Sequence, residues 1–276
     1  MSALDLDVLL PCCGRPAALA AVLAGLTAQS VHGFRLLLSD QSDGTPAYDD
    51  PAVRGVLRLL EHRGDIVQAA QHLPRRGMAE HRQHLLERSS ARRVLYLDDD
   101  VLLDPTAVAT LLDALEQTGA GFVGMAMQGL SFAGDERPHE HAAYEEWDGP
   151  VEPELVRKDT PGWERWRLHN AANLVHLDRR LGPHPRGWRA YRVAWLAGCV
   201  LFDRQALVDA GGFSFWEQLP PESAGEDVVA QLRVLERRGG AGLLPPGAWH
   251  LELPTTIGDR RVDAYAAVIG NPPGDG

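Results

Sequence analysis

Three consecutive aspartates, Asp98, Asp99 and Asp100, directly follow the apolar segment Val94-Leu95-Tyr96-Leu97 and are the strongest chemical signal in the sequence. In an extended chain, Asp98 and Asp100 point to one side and Asp99 to the other, because side chains alternate along a strand. Neighbouring carboxylates repel one another, and a hard divalent cation such as Mg²⁺ or Mn²⁺ removes that repulsion. We therefore predict that Asp98 and Asp100 bind a divalent cation; the structural alternative is a solvated acidic turn that caps the helix after Pro105.

The elements around these acids follow the pattern of an α/β protein, in which short apolar segments alternate with helical periodicity. We predict strands at 8–11, 34–39, 66–73, 93–97 and 122–127, and helices at 16–30, 53–63, 78–88 and 106–118. This alternation is typical of an open, mainly parallel sheet flanked by helices. Such sheets bind ligands beyond the carboxyl ends of their strands, which is where the three aspartates lie.

The second half of the chain is less regular. Between residues 129 and about 192, Pro, His, Trp and mixed charges show no clear period, which indicates loops that shape a ligand site. Strands are predicted at 193–202 and 242–253 and helices at 204–210 and 228–238, with Gly211-Gly212 as a left-handed helix end. Residues 269–276, rich in Pro and Gly, are predicted to be a flexible tail.

Composition excludes several classes of function. The 276 residues are 45% hydrophobic, enough for a large buried core, and the formal net charge is −11. That charge opposes broad binding to nucleic acid or to anionic lipid, so a phosphate-bearing ligand must be held by a metal ion or by a few placed donors. Three cysteines, no charged leader pattern and no long apolar segment predict a cytoplasmic protein without a membrane span.

The acidic strand end resembles the aspartate-any-aspartate motif of nucleotide-diphospho-sugar glycosyltransferases with the GT-A fold, particularly the inverting enzymes of family two. Leu9-Leu10-Pro11 and the following Gly14-Arg15 look like the opening strand and loop of that family. Leu38-Ser39-Asp40 is similar to its second strand end, where an Asp contacts the base. The resemblance implies that a sugar nucleotide is bound by residues that include Pro11, Arg15, Asp40, Asp98 and Asp99.

Gly225-Glu226-Asp227 resembles the Glu-Asp pair that the family carries at a helix start. An acceptor hydroxyl is a weak nucleophile, so a carboxylate must take its proton as it attacks the anomeric carbon. The resemblance assigns Asp227 as that base and Glu226 as a contact to acceptor or donor. From the residues alone, acids at this position equally complement the positive end of a helix dipole.

Other positions match the family less specifically. Arg82 falls where an Arg precedes the metal strand, Gly198 lies in a small-residue strand that passes near the donor sugar, and His250 stands where many members place a metal or phosphate ligand. All seven tryptophans lie between Trp147 and Trp249, the half that binds acceptors in this family, and flat indole faces pair with sugar rings. The acceptor-binding candidates are Trp163, Trp166, Trp188 and Trp216.

The resemblance divides the chain into a nucleotide-sugar-binding half, 1–128, and a continuous acceptor-binding and catalytic half, 129–268, followed by the tail. The expected function is inverting, metal-dependent transfer of a single sugar from a UDP-, GDP- or dTDP-linked donor to an acceptor hydroxyl. Two alternatives remain: a sugar-phosphate nucleotidyltransferase, and a non-catalytic relative that binds sugar nucleotides. Pro11-Cys12-Cys13-Gly14-Arg15-Pro16 lacks the glycine content of a nucleotidyltransferase phosphate loop.

Overall fold

The computed structural model describes residues 4–255 and 262–270. Within them the helices are α1 (Pro16–Thr27), α2 (Pro51–His62), α3 (Met78–Arg88), α4 (Ala107–Thr118), α5 (Asn173–Leu181), α6 (Arg204–Asp209), α7 (Glu226–Arg238) and α8 (Ala264–Val268). The strands are β1 (Leu6–Cys12), β2 (Arg35–Asp40), β3 (Ile66–Gln71), β4 (Arg93–Leu97), β5 (Val101–Leu103), β6 (Phe122–Gly124), β7 (Gln128–Gly129), β8 (Arg189–Tyr191), β9 (Cys199–Asp203), β10 (Gly240–Leu244) and β11 (Ala248–His250).

The main sheet has eight strands in the order β3-β2-β1-β4-β9-β6-β10-β8. Strands β3, β2, β1 and β4 pair in parallel, as do β6 and β10, whereas β9 runs antiparallel between β4 and β6, and β8 closes the far edge antiparallel to β10. The predicted mainly parallel α/β sheet is confirmed. Because β8, β9 and β10 belong to this sheet, both halves of the chain contribute to one sheet.

Residues on the two faces of the sheet belong to two apolar layers. Along β1, Leu6, Val8 and Leu10 pack with α1, α2 and α4, while Leu9 packs on the other face with α3, α6 and α7. Every residue of β1 is buried, as expected for a central strand that is covered on both faces. The carboxyl ends of β1 and β4 are therefore held rigidly, and it is from these ends that the polar segments emerge.

A second sheet of three strands, β5-β11-β7, stands beside the end of β4. The prediction of one extended segment at 242–253 is wrong, because the chain leaves the main sheet after β10 and re-forms a strand only at β11. Pro245 and Pro246 separate the two, and proline has no N–H to donate to a ladder. This break carries β11 to the edge of β5, immediately after the three aspartates.

The middle of the chain contains more structure than its sequence pattern predicted. Helix α5 and strand β8 lie within 129–192, and the predicted strands at 122–127 and 193–202 shorten to β6 and β9. Leu174, Leu177 and Leu181 are spaced three and four apart, which is a helical signal that the surrounding prolines and tryptophans obscured. The rest of the region forms short 3₁₀ helices, including Leu130–Phe132 and Pro161–His169.

Gly211 and Gly212 have φ values of 93° and 53°, which confirms the predicted left-handed end of α6. Of the predicted tail, residue 269 caps α8 and residue 270 is coil, whereas 271–276 lie outside the described residues. In the described part of the chain, no helix has the length and apolar character that crossing a membrane requires.

Candidate functional site

The three aspartates form a turn rather than a continuation of β4. The N–H of Val101 donates to the carbonyl of Asp98 at 3.3 Å, and the N–H of Asp98 donates to the carbonyl of Gly198 at 3.0 Å. The expectation that Asp99 points away from Asp100 is therefore wrong, since the alternation of an extended chain does not apply within a turn. Asp99 and Asp100 instead share one partner.

That partner is Arg15, which lies between β1 and α1. Its guanidinium donates to Asp100 Oδ2 at 2.9 Å and makes a short ion pair with Asp99 Oδ1. Burial raises the pKa of the Asp99 carboxyl to about 6 even though Arg15 opposes the shift. The pKa of Asp100 is lowered, because hydrogen bonding from His250 and the charge of Arg15 together outweigh its burial.

Arg82, on α3, joins Asp98 to the start of α7. Its Nη2 donates to Asp98 Oδ1 at 2.9 Å and its Nε to Glu226 Oε1 at 3.0 Å, while its backbone carbonyl accepts from the hydroxyl of Tyr96 at 2.8 Å. Arg82 and Glu226 are only 7% and 5% exposed, so neither charge is compensated by water. Arg82 is therefore the counter-charge of two carboxylates that come from distant parts of the sequence.

Helix α7 begins at Glu226, two residues earlier than predicted, after Gly225 in the left-handed conformation at φ 86°. Asp227 is half-buried beside Glu226. Burial and the repulsion of Glu226 raise the pKa of Asp227 to about 7, and the charge of Arg82 opposes that rise. A carboxylate with a pKa near neutrality is suited to accept a proton at physiological pH.

His250 reaches the site through the pairing of β11 with β5, in which it is opposite Val101. Its Nε2 lies 3.5 Å from Asp100 Oδ2, and this hydrogen-bond partner raises the pKa of His250. The N–H of Leu251 also donates to the carbonyl of Asp100 at 2.9 Å. The second sheet thus positions both His250 and the last residue of the acidic turn.

These side chains face one cleft of about 440 Å³ at the carboxyl edge of the main sheet. The cleft brings together most of the residues that the sequence singled out: Pro11, Arg15, Arg82, Asp98, Asp99, Asp100, Glu226, Asp227 and His250. Its other lining residues were not predicted and are mostly apolar or small, among them Met78, Met127, Ala197, Ala224, Gly225, Leu253 and Thr255. Apolar lining residues have no chemical signature in a single sequence, and only those close in sequence to a predicted residue, such as Ala224 before Glu226 and Leu253 after His250, could have been indicated.

Asp40 and Gly198 are not among the described residues that line this cleft. Asp40 is fully buried, and its two carboxylate oxygens accept from the N–H groups of Ser42 and Ala47, both at 2.5 Å. It therefore fixes the loop after β2, and its contact with a base stays a prediction. Gly198 instead borders a small void of about 10 Å³ that Arg82 and Asp227 also line.

The four acceptor-binding candidates also lie outside the described lining of the cleft. Trp188 is buried, and its Nε1 donates to Asp113 at 2.8 Å. Trp163 packs against Trp195 with ring centroids 4.8 Å apart, and Trp166 and Trp216 are half-buried against the same core layer. Acceptor binding by these four tryptophans stays a prediction.

The predicted metal ligands are neighbours, yet the described residues contain no group of three or more His, Cys, Asp or Glu side chains arranged to hold a metal ion. Instead, Arg15 and Arg82 pair with the carboxylates of the acidic turn. Asp98 Oδ2 and Asp100 Oδ1 nevertheless accept no hydrogen bond from the described residues. Metal binding by Asp98, Asp100 and His250 stays a prediction.

Gly198 offers a direct test of the site's packing. Its φ is 81°, and an added Cβ would lie 2.8 Å from Met127 Sδ and 2.9 Å from Val101 Cγ2. We expect Gly198→Ala to lower the free energy of unfolding by about 3 kcal/mol, from backbone strain and overpacking together. Gly14→Ala is the matched control: φ is 66° with no atom within 4 Å of the added Cβ, so only about 1 kcal/mol should be lost. Equal losses in urea denaturation would contradict the packing argument.

The chain resembles known proteins both in sequence and in fold. The model of the family described as Glycosyl transferase family 2 matches residues 7–174. Compared with curated proteins, the chain has no match. Among solved structures it is similar to TarS of S. aureus, with a TM-score of 0.55 and 14% identity over 90% of this chain and 36% of that one.

Two further structures are similar. TarS 1-349 of S. aureus in complex with UDP-GlcNAc gives a TM-score of 0.54 at 14% identity, over 92% of this chain and 60% of that one. The mannosyltransferase PcManGT from Pyrobaculum calidifontis, in complex with GDP-Man and Mn²⁺, gives 0.53 at 14% identity, over 88% and 57%. This chain spans less than two thirds of the length of each, and at such identities the likeness is one of fold.

Proposed function

Since the chain belongs to glycosyl transferase family 2 and has the GT-A fold that its sequence predicts, we propose that it is an inverting glycosyltransferase that moves a single sugar from a nucleotide-diphospho-sugar to an acceptor hydroxyl. The observation that carries this proposal is the meeting of Asp98, Asp100 and Asp227 in one cleft. The first two come from the end of β4 and the third from the start of α7. A donor diphosphate and an acceptor hydroxyl can therefore be held side by side.

Asp227 is proposed as the base. Its carboxylate, with a pKa of about 7, removes the proton of the acceptor hydroxyl as that oxygen attacks the anomeric carbon. The bond to the diphosphate breaks on the opposite face of the sugar, which inverts the configuration. Glu226, whose carboxylate is held by Arg82 at 3.0 Å, keeps the first turn of α7 in place beside Asp98.

The donor set of the acidic turn fits Mn²⁺ or Mg²⁺. Mg²⁺ is commonly held by one or two carboxylates and completes its shell with water and substrate phosphates, so a protein cage of three side chains is not required. Asp98 and Asp100 would hold the cation through the two oxygens that accept no hydrogen bond from the described residues. Such a cation neutralises the charge that develops on the leaving diphosphate. His250 is the proposed third ligand in its neutral form, and it would exchange its contact with Asp100 for the cation.

Arg15 is proposed to contact the donor phosphates. Its Nε is buried and has no hydrogen-bond partner among the described residues, although both of its Nη atoms are paired with the acidic turn. A buried donor without an acceptor costs free energy, which a phosphate oxygen at this position would recover. With Asp98, the proposed donor-binding set is completed by Pro11, Asp40, Arg82, Asp99 and Gly198.

The identity of the donor is open between UDP-, GDP- and dTDP-linked sugars. A TarS structure contains UDP-GlcNAc and the PcManGT structure contains GDP-Man with Mn²⁺, which supports testing these two donors first. A cytoplasmic location and the absence of nucleic-acid partners stay predictions from composition.

Nucleotide-dependent thermal stability tests the donor site. We expect UDP or GDP at about one hundred times its Kd to stabilise the protein by about 2.7 kcal/mol when Mn²⁺ is present, and much less when EDTA replaces it. Asp98→Asn with Asp100→Asn should abolish the Mn²⁺ dependence, whereas Asp135→Asn, on an exposed loop, should preserve it. A protein that no nucleoside diphosphate stabilises with either cation would rule out the proposed donor site. Release of pyrophosphate from nucleoside triphosphate and sugar phosphate would favour a nucleotidyltransferase instead.

A further inference from the structure

Four apolar side chains run from the inside of the cleft onto its rim, and we call them the rim strip: Met127, Leu130, Phe132 and Leu253. Met127 and Leu253 line the cleft. Leu130 and Phe132 follow Met127 closely in sequence and are 53% and 43% exposed. The strip therefore begins beside the catalytic residues and ends in solvent.

The rim strip is held in place by the second sheet. Gln128 and Gly129 of β7 pair in parallel with Trp249 and His250 of β11, so the segments that carry Leu130 and Leu253 leave adjacent strands. Glu252 accepts from the N–H of Ser131 at 3.1 Å and makes a short hydrogen bond with its hydroxyl. These contacts fix the 3₁₀ turn of Leu130–Phe132 against the segment after His250.

Gly129 shows how closely the two segments approach. An added Cβ there would lie 2.8 Å from the Glu252 carboxylate and 3.3 Å from the Phe132 ring. Phe132 and Glu252 thus flank the same backbone position, and Leu253 is the next residue along. The exposed ring of Phe132 therefore lies beside the backbone segment that carries Leu253, and Leu253 lines the cleft.

Eight large apolar side chains are more than a third exposed among the described residues, and three of them, Leu130, Phe132 and Leu253, are in the rim strip. Others, such as Leu59 on α2 and Val208 on α6, lie singly on helices, as is ordinary for a protein surface. A cluster of exposed apolar residues that is continuous with a polar site indicates a ligand with an apolar part. The same cleft is also lined by charged residues, Arg15 and the acidic turn.

We propose that the acceptor carries an aryl or alkyl group next to the hydroxyl that receives the sugar, and that this group packs on the rim strip. The inference rests on the proposed glycosyltransferase function and specifies its acceptor class. The hydroxyl lies at Asp227, inside the cleft, and the apolar group extends past Met127 and Leu253 to Phe132. We assign the group that packs on the rim strip to the acceptor because Met127 and Leu253 line the same cleft as the proposed base, Asp227.

Matched glycosides test the inference. Methyl and p-nitrophenyl glycosides of glucose, galactose, mannose and N-acetylglucosamine differ only in their aglycone, and their affinities can be measured by titration calorimetry with Mn²⁺ and nucleoside diphosphate present. We expect the aryl member of at least one pair to bind about tenfold more tightly, the factor that burial of roughly 55 Å² of apolar surface supplies. Equal affinities in all four pairs would overturn the inference.

Substitution locates the preference. The double variant Leu130→Ser, Phe132→Ser should bind the methyl and p-nitrophenyl glycosides with about equal affinity. Leu155→Ser, at a residue that is 55% exposed, should leave the aryl preference unchanged. Leu155 follows Glu154, whose N–H donates to Leu235 near the far end of α7, so it lies away from the cleft. An aryl preference that survives the double variant would place the apolar contact elsewhere and refute the role of the strip.

Two readouts separate this inference from the function on which it rests. Stabilisation by nucleoside diphosphate with Mn²⁺ should be the same in the double variant and in the parent protein, so a loss of the aryl preference alone concerns the acceptor. Sedimentation with phosphatidylcholine or phosphatidylglycerol vesicles tests the other occupant. Vesicle binding that depends on Leu130 and Phe132, without any aryl preference, would mean that the strip contacts a membrane and would overturn the proposal.

Discussion

Replacing Asp227 by Asn should lower kcat by about a thousandfold while donor binding is retained, because an amide cannot accept the proton of the acceptor hydroxyl. The substitution keeps the size of the side chain, and the asparagine Oδ1 can still accept the N–H of Val228, a contact that is 2.9 Å in the parent protein. The rate of donor hydrolysis or sugar transfer is measured from the release of nucleoside diphosphate. Donor binding is measured from the thermal shift with Mn²⁺ and nucleotide. Asp209→Asn, at an exposed helical position, is the matched control and should leave both unchanged.

The pH dependence of the same variant gives a second readout. With a pKa of about 7, Asp227 is protonated and inactive as a base in acid, so kcat/KM of the parent protein should rise with pH through about 7 and then level off. The residual rate of Asp227→Asn should lack this rise. If the variant kept the full rate, or if its rate still rose with pH through about 7, another group would be the base.

As the pH rises, the stability of the parent protein should fall while its activity rises. The pKa of Asp227 in the folded protein is above the value of about 3.9 for an unfolded aspartate, so between pH 4 and 7 the folded state binds the extra proton. The stability that this proton provides is fully present below about pH 4 and is lost progressively as the pH rises to about 7, where the carboxylate of the folded protein ionises. Asp227→Asn should therefore match the parent protein most closely near pH 3.5 and melt at a higher temperature at pH 8.5, without ligands.

The sequence predicted elements most accurately where local signals are strong. Helix α3 and strand β4 begin and end at the predicted residues, because an amphipathic helix and an apolar strand follow each other between clear breaks. The acidic turn was found because its three carboxylates are consecutive. Whether Asp99 turns toward Asp100 depends on a few backbone dihedrals after Leu97, for which apolar periodicity carries no information.

Contacts between residues that are distant in sequence could not be predicted from the sequence alone. Arg15 meets Asp99 across 84 positions and Arg82 meets Glu226 across 144, so only the folded sheet brings them together. His250 was chosen by resemblance, and its contact with Asp100 arises from the pairing of two three-residue strands, β5 and β11. Strands this short leave no periodic pattern, and the interruption by Pro245 and Pro246 was interpreted as part of one extended segment.

Arg82 is the residue whose loss should most affect the fold of the site. Its guanidinium is 7% exposed and neutralises Asp98 and Glu226, the second of which is 5% exposed. Arg82→Met removes one partner of a buried network and leaves a carboxylate without its counter-charge, so we expect a loss of about 3–5 kcal/mol of stability. At roughly 2–4 °C per kcal/mol for a protein of this size, the melting temperature should fall by about 10 °C.

Arg54→Met is the matched control for this change, since it breaks an ion pair with Asp49 whose partners are both exposed. It should cost at most about 1 kcal/mol. Equal losses in the two variants would show that Arg82 acts as an ordinary surface arginine. The outcome decides whether the network between α3 and α7 is structural at all.

Arg82 also acts on the base through its charge. The positive charge of Arg82 lowers the pKa of Asp227, so removing that charge should raise the pKa. In Arg82→Met, the rise of kcat/KM with pH (the acid limb of the pH profile) should therefore move to higher pH. Arg82→Lys keeps the charge but cannot donate from two nitrogens in a planar fork. We therefore expect its kcat/KM to rise over nearly the same pH range as in the parent protein, while its melting temperature recovers less fully. If the lysine variant recovered stability and left the limb displaced, the proposed electrostatic coupling between Arg82 and Asp227 would be wrong.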